Sequence, residues 1–222
     1  MYTTQSILTT LKAHANKRNV AGMARFGINP HNTLGISVPF LRTLAKKIGK
    51  NHTLAGQLWS TSIHEARLLA IFIEEPIKVT ASQMNRWVNT FDSWDICDQA
   101  CLNIFDKTPF AYAKAHEWVK SEKEFVRRAG FAIMAVMAVH DKTAPDKAFL
   151  NFLPLIKKYA TDERNFVKKA TNWALRQIGK RNRNLQKRSI TLSKTLEKST
   201  SPSARWIAKD ALRELTSKKI ND

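Results

Sequence analysis

Apolar residues in this chain recur at three- and four-residue intervals almost throughout, and no run alternates residue by residue for long enough to make a strand. That period predicts helices over roughly 4–18, 20–26, 38–49, 53–60, 63–74, 80–91, 94–106, 109–120, 123–139, 146–159, 163–178, 183–198 and 202–216. The second of these is short enough to be an extension of the first. Caps support the boundaries. Thr80 stands before ASQMNRWVNTF, and Thr108 and Ser201 are each followed by a proline, the pairing of a capping oxygen with a residue preset for the first helical position. Gly179 falls where NFVKKATNWALRQIG should stop. The chain reads as all-α.

Four of these helices resemble one another. HEARLLAIFI, EFVRRAGFAIMAV, NFVKKATNWALRQI and SARWIAKDALREL each carry basic residues near the start and small or apolar ones behind. Arg128 to Lys169 is 41 residues and Lys169 to Lys209 is 40, a spacing typical of two-helix repeats of the HEAT type. The expectation is a curved α-α superhelix of about six such repeats, one domain over residues 1–222. Its concave side would carry the basic helix starts, among them Lys168 and Lys169, and helix N-termini add partial positive charge suited to phosphate.

Charge strengthens that picture. The 222 residues carry a formal +19, and a field of that sign attracts nucleic acid or another polyanion. The excess is concentrated. From Arg164 to Lys219 there are 16 Lys or Arg against Glu197, Asp210 and Glu214, a balance of 16 − 3 = +13. The run Lys180 to Arg188, with Arg181 and Arg183, is either a phosphate-binding loop or a solvated face. Arg42, Lys46 and Lys47 read as a solvated face. Cys97 and Cys101 lie four apart in a helix with no metal-ligand spacing around them, so they read as reduced core thiols, and no metal is implied. No stretch approaches the roughly 20 apolar residues that span a bilayer, and the N-terminus lacks the apolar core of a signal peptide. The expectation is a cytoplasmic protein with no membrane partner, nucleoid-associated when bound to DNA.

Against this basic background one pair of residues runs the other way. In FDSWDICD, Trp94 and Asp98 are four apart and share a helix face. An aromatic ring beside an anion suits a flat cation. The bland reading makes Trp94 a core aromatic and Asp98 a surface or ion-pair residue. Asp92 and Asp95 read as charges satisfying a helix start, and Trp59, Trp87, Trp118 and Trp206 as core. His64, in HEAR, is either a DNA contact or a capping and packing residue.

The segments LGISVPFLRTLAKKI, HEARLLA, DSWDICD, FVRRAGFAIMAV and NFVKKATNWALRQIGKRN, in this order, resemble the AlkD-like DNA alkylation repair proteins, monofunctional alkylpurine DNA glycosylases built from HEAT-like repeats. The resemblance spans roughly residues 20 to 216. It implies that Asp98 is the catalytic aspartate and Trp94 the tryptophan before it. It further implies that Arg128 is the cleft arginine, with Arg127 adjacent, and Trp173 the second cleft tryptophan. Of two positions where some members carry adjacent aromatics, this chain has Asn165 and Phe166, so only Phe166 serves. The implied reaction is hydrolysis of the N-glycosidic bond of cationic alkylated purines in double-stranded DNA, by a monomer that needs water and no cofactor. Two other readings stand beside it: a non-catalytic HEAT-like module binding branched or distorted DNA through charge, and a scaffold for acidic proteins.

Overall fold

The structure, a computed structural model, describes residues 2–217. Among them are fourteen α-helices, two 3₁₀ turns and no strand. Lys218 and Lys219, counted in the basic C-terminal stretch, lie outside the described residues. Two compact units divide at Thr108 and Pro109.

The first unit comprises α1 (Thr4–Ala13), α2 (Lys17–Arg25), α3 (Val38–Ile48), α4 (His52–Ser60), α5 (His64–Ile73), α6 (Ala81–Val88) and α7 (Trp94–Asn103). Helix α5 is its centre. Leu68, Leu69, Ile71 and Ile73 are buried against neighbours that include α3, α4 and α7. Each such side chain taken fully from water contributes about 1.5–3 kcal/mol. The polar start of α5 is buried too, and its glutamate is satisfied by a distant loop. Glu65 accepts the backbone N–H groups of Leu34, Gly35 and Ile36 at 2.8, 2.7 and 3.2 Å. Gly35 is required in that loop. Its φ is +80°, and a Cβ there would lie 2.2 Å from the Asn16 carbonyl oxygen.

The second unit comprises α8 (Ala111–Trp118), α9 (Glu124–His140), α10 (Asp146–Leu150), α11 (Leu153–Tyr159), α12 (Asn165–Gly179), α13 (Arg183–Glu197) and α14 (Pro202–Ser217). Helix α9 is buried from Val126 to Ala138 and packs on α8 and α12, and α12 packs in turn on α13 and α14. Ion pairs and hydrogen bonds pin α12 to α14 at a sequence separation of 38. Asn172 donates to Asp210 at 2.6 Å and Arg176 to Glu214 at 2.6 Å. These are the lateral ties expected when successive repeats stack.

Several boundaries depart from the periodic pattern. Residues 4–18 and 20–26 are two helices, because the Asn16 side chain accepts the Asn19 N–H and starts α2 afresh. Residues 146–159 are two as well. Pro154 has no N–H for the Leu150 carbonyl, so it stands in the first turn of α11 and not inside a longer helix. Ser201 and Pro202 open α14 as expected, but Thr108 and Pro109 do not open α8. The Thr108 hydroxyl donates to the Phe105 carbonyl at 2.8 Å, and the helix starts at Ala111. Gly179 is the last residue of α12 and not a left-handed stop. A Cβ there would sit 2.7 Å from the end of the Leu215 side chain, so glycine eases the close approach of α14.

Candidate nucleic-acid site

Ser93 begins α7, so Trp94 occupies the first helical position and Asp98 stands one turn on, about 40° round the axis. Both are half-buried. The Trp94 indole N–H donates to the Phe26 carbonyl at 3.0 Å, which fixes the ring against the end of α2. Helix α2 buries none of its residues, and Phe26 beyond it is 76% exposed. Between α2, α3 and α7 lies a cleft of about 730 Å³ walled by Met23, Phe26, Val38, Leu68 and Trp94, with Asp95 and Gln99 as its acidic and amide groups and Arg18 and Arg25 at the basic edge. Asp98 lies on the flank of α7 next to that wall and is not among the cleft residues. Phe26, Met23 and Gln99 went unnoticed in the sequence; the signal was the basic, amphipathic run KRNVAGMAR.

The acidic neighbours of Asp98 have assigned partners. Asp95 accepts from His64 Nε2 at 2.9 Å and from the Ile96 N–H at 2.9 Å. Burial opposes a charge on His64, yet Asp95, with Glu65 and Asp92 nearby, raises its pKa above the ordinary value. His64 is thus a buried, packed residue and not an exposed contact. Asp92 accepts from Asn29 at 3.1 Å. Burial pushes the Cys101 thiol well up, with Cys97 and Asp98 adding to the effect, so it stays protonated. Arg42 is not simply solvated: it donates to Gln99 at 2.9 Å and lies 4.3 Å from the centre of the Phe72 ring.

In the second unit Arg127 and Arg128 are equally buried and differently used. Arg127 donates to Asp162 at 2.6 Å and Glu122 at 3.0 Å and lies over the Tyr159 ring. Its guanidinium is taken up in holding α9 to the turn before α12. Arg128 donates to the Phe166 carbonyl at 2.7 Å. Phe166, Lys169 and Trp173, at spacings of three and four, form one stripe along α12. Phe166 packs on Phe125 at 5.4 Å, Trp173 is half-buried, and Lys169 is exposed. Lys168 lies on another flank, 5.4 Å from the Trp206 ring, and Trp206 is 42% exposed. Trp206 therefore does not belong to the core, whereas Trp59, Trp87 and Trp118 do. Arg181 donates to the Ala138 and Ala144 carbonyls and stacks on Phe149, tying down the loop after α9. Arg183, the first residue of α13, is exposed. The predicted residues thus fall into two groups, Trp94 with Asp98 in one unit and Arg128 with Phe166, Lys169 and Trp173 in the other.

Helices paired and tied at a 38-residue interval define a helical-repeat protein of the HEAT-like class. Residues 7–215 match the family described as DNA alkylation repair enzyme, and the chain belongs to that family. A solved structure described as "a new family of proteins related to the HEAT-like repeat DNA glycosylases with affinity for branched DNA structures" is similar over 96% of this chain and 95% of its own, with a TM-score of 0.79 and 18% identity. The two share a fold. In sequence the chain is 24% identical over 202 residues to the uncharacterized protein Lin0241 of Listeria innocua, covering 89% of this chain and 88% of that one. No helix among the described residues is long and apolar enough to cross a membrane, and no three His, Cys, Asp or Glu gather there as a metal site would require.

Proposed function

We propose that this protein is a monofunctional DNA glycosylase that releases cationic alkylated purines, N3-alkyladenine and N7-alkylguanine, from duplex DNA and leaves an abasic site. The observation that carries the reading is the half-buried Trp94 and Asp98 pair, an aromatic and an anion one turn apart on a chain of charge +19. A purine alkylated at N3 or N7 is already positively charged, so it departs as a neutral base without protonation. What the sugar then needs is stabilisation of its developing oxocarbenium charge and a placed water. The Asp98 carboxylate supplies the first electrostatically and the second by accepting a hydrogen bond from the attacking water. Trp94 and Trp173 offer ring faces to the cationic nucleotide, each worth about 0.5–2 kcal/mol according to desolvation. As the family resemblance implies, Arg128 holds a backbone phosphate and Phe166 adds an apolar contact, while Lys168, Lys169, Arg181 and Arg183 contribute positive charge. The protein acts as a monomer inside the cell, in the cytoplasm and on the nucleoid, and the reaction consumes only water.

A second reading is non-catalytic recognition of branched DNA, favoured by the description of the structure that shares this fold. An oligonucleotide carrying a single N7-methylguanine separates the two. The glycosylase reading expects released base and alkali-labile strands from the wild type, with Asp98→Asn losing release by at least a hundredfold while retaining DNA affinity. Equal release by both proteins removes Asp98 from the mechanism. No release by wild type, with tight binding of a four-way junction, establishes the second reading.

A further inference from the structure

We propose that a pocket between α4, α5 and α6, apart from Trp94 and Asp98, is a binding site for a phosphate group. The pocket has a volume of about 460 Å³ and is lined by His52, Ser62, Arg67 and Arg86 around the Trp59 and Trp87 rings. That volume is within the range of small-ligand sites, roughly 300–1,000 Å³. Trp59 and Trp87 stack on each other at 4.0 Å and are buried, so they form a wall and leave the polar groups to meet a ligand.

Arg67 carries the argument, through its contrast with Arg127. Each is the fourth residue of its helix, and each lies over an aromatic ring, Trp59 for Arg67 and Tyr159 for Arg127. Each turns a terminal nitrogen to the residue five positions back. For Arg127 that residue is Glu122, at 3.0 Å, and Asp162 completes the neutralisation. For Arg67 it is the Ser62 hydroxyl, at 3.3 Å, and the other bond goes to the Thr90 carbonyl, at 3.1 Å. Where the second unit provides two carboxylates, the first provides two neutral oxygens. Both side chains are 9% exposed and both lack a hydrogen-bond partner at Nε, so the difference between them lies in what their terminal nitrogens meet. Arg67, a buried cation so placed, retains unmet demand for an anion.

The carboxylates nearby meet it only in part. Asp92 stands 4.0 Å away and is 40% exposed. Glu74 is buried, but it is occupied by His52, by Gln83 and by the Glu75 N–H, at 2.7 Å each. A second cation waits at the rim. Arg86 is exposed and bonds Ser82 one turn back at 2.9 Å. Two guanidinium groups with fork-shaped donors match the oxygens of a phosphate better than a single carboxylate. Ser62 holds its hydroxyl toward Arg67 from a φ of +58°, a conformation uncommon outside glycine and asparagine.

The test titrates inorganic phosphate into the full chain by calorimetry, with chloride at matched ionic strength as reference. Wild type is compared with Arg86→Glu, an exposed change, and Ser62→Asp, which gives Arg67 the carboxylate that Arg127 receives from Glu122. Phosphate should bind the wild type and bind each variant at least tenfold more weakly, while Ser62→Asp melts no lower than wild type. Equal phosphate binding by all three proteins, or none by the wild type, overturns the site. Competing oligonucleotides identify the natural source of the phosphate. Displacement by a 5′-phosphorylated strand and not by its 5′-hydroxyl counterpart marks a strand end, displacement by both marks an internal phosphate, and displacement by neither marks free phosphate.

Discussion

Replacing Asp162 with asparagine should strip α9 of its main tie to the turn before α12, and the size of the effect follows from charge. Asp162 is 6% exposed and holds both Arg127 and Arg164, each at 2.6 Å. Burial opposes its charge, but the two guanidinium groups prevail, and its pKa falls from 3.8 to about 2. A depressed carboxylate pKa adds stability that is fully present above the unfolded value of 3.8 and is lost as pH falls towards 2. The difference of about 1.8 units at 1.36 kcal/mol each is about 2.4 kcal/mol. Arg164 is 32% exposed, so screening by water leaves about 1.5–2 kcal/mol of that. A neutral amide cannot accept as an anion, and Arg127 would keep only Glu122, which is 91% exposed. Stranding a buried charge raises the total towards the lower end of the roughly 3–5 kcal/mol seen when buried pairs are broken. The expectation is a loss of about 2–3 kcal/mol at pH 7, read from urea melts, that shrinks steadily as both proteins are brought to pH 2. A loss that does not change between pH 7 and pH 2 refutes the electrostatic account. One corollary bears on function. Arg127→Ala should lower stability by a similar amount, whereas Arg128→Ala should depress base release more than it depresses folding.

Gly130→Ala would place a Cβ 2.7 Å from the Val119 backbone nitrogen, so it should destabilise by about 1–3 kcal/mol or more in denaturant melts; a neutral result would mean that α8 moves freely. Gly179→Ala meets the flexible end of Leu215 instead and should cost less. Because Asp95 and its neighbours raise the His64 pKa, the ion pair stabilises fully below pH 6.5 and weakens as pH climbs through the folded value. His64→Gln should therefore lose more stability at pH 6 than at pH 9, and an equal loss at both would assign His64 to packing alone. DNA affinity should fall with salt at a log–log slope of about −0.9 per phosphate neutralised, and a flat response would argue against electrostatic binding.

Helix type was legible because burial on one face imposes the 3.6-residue period whatever the tertiary partners are, and Pro154 already marked the break that the period overran. The pairing of Trp94 with Asp98 was legible for the same local reason. The cleft beside them was not, since Met23 and Phe26 arrive from about seventy residues earlier and only packing decides that α2 buries none of its residues fully. Gly179 carried a true signal with the wrong cause: a missing Cβ serves a helix end and a close helix crossing equally well, and sequence does not distinguish them. Trp206 failed because an apolar stripe does not say whether anything covers it.

The basic helix starts are the instructive case, because charge was visible while its employment was hidden. Read as composition, Arg67, Arg127 and Lys168 all belong to a groove awaiting phosphate. Folded, all three lie over aromatic rings, Arg127 is neutralised by Glu122 and Asp162, and Arg176 and Lys180 are paired with Glu214. Arg181 spends its donors on two carbonyls. Net charge therefore overstates what DNA can engage at short range. The cations left on the surface, such as Lys169, Lys187 and Arg188, remain able to trade counterions for phosphates. Arg67 differs from both sets: it is buried like the structural arginines, but where they hold carboxylates at hydrogen-bond distance it has only the partly exposed Asp92 at 4.0 Å, so packing explains its position in the fold and leaves its charge open to a further anion.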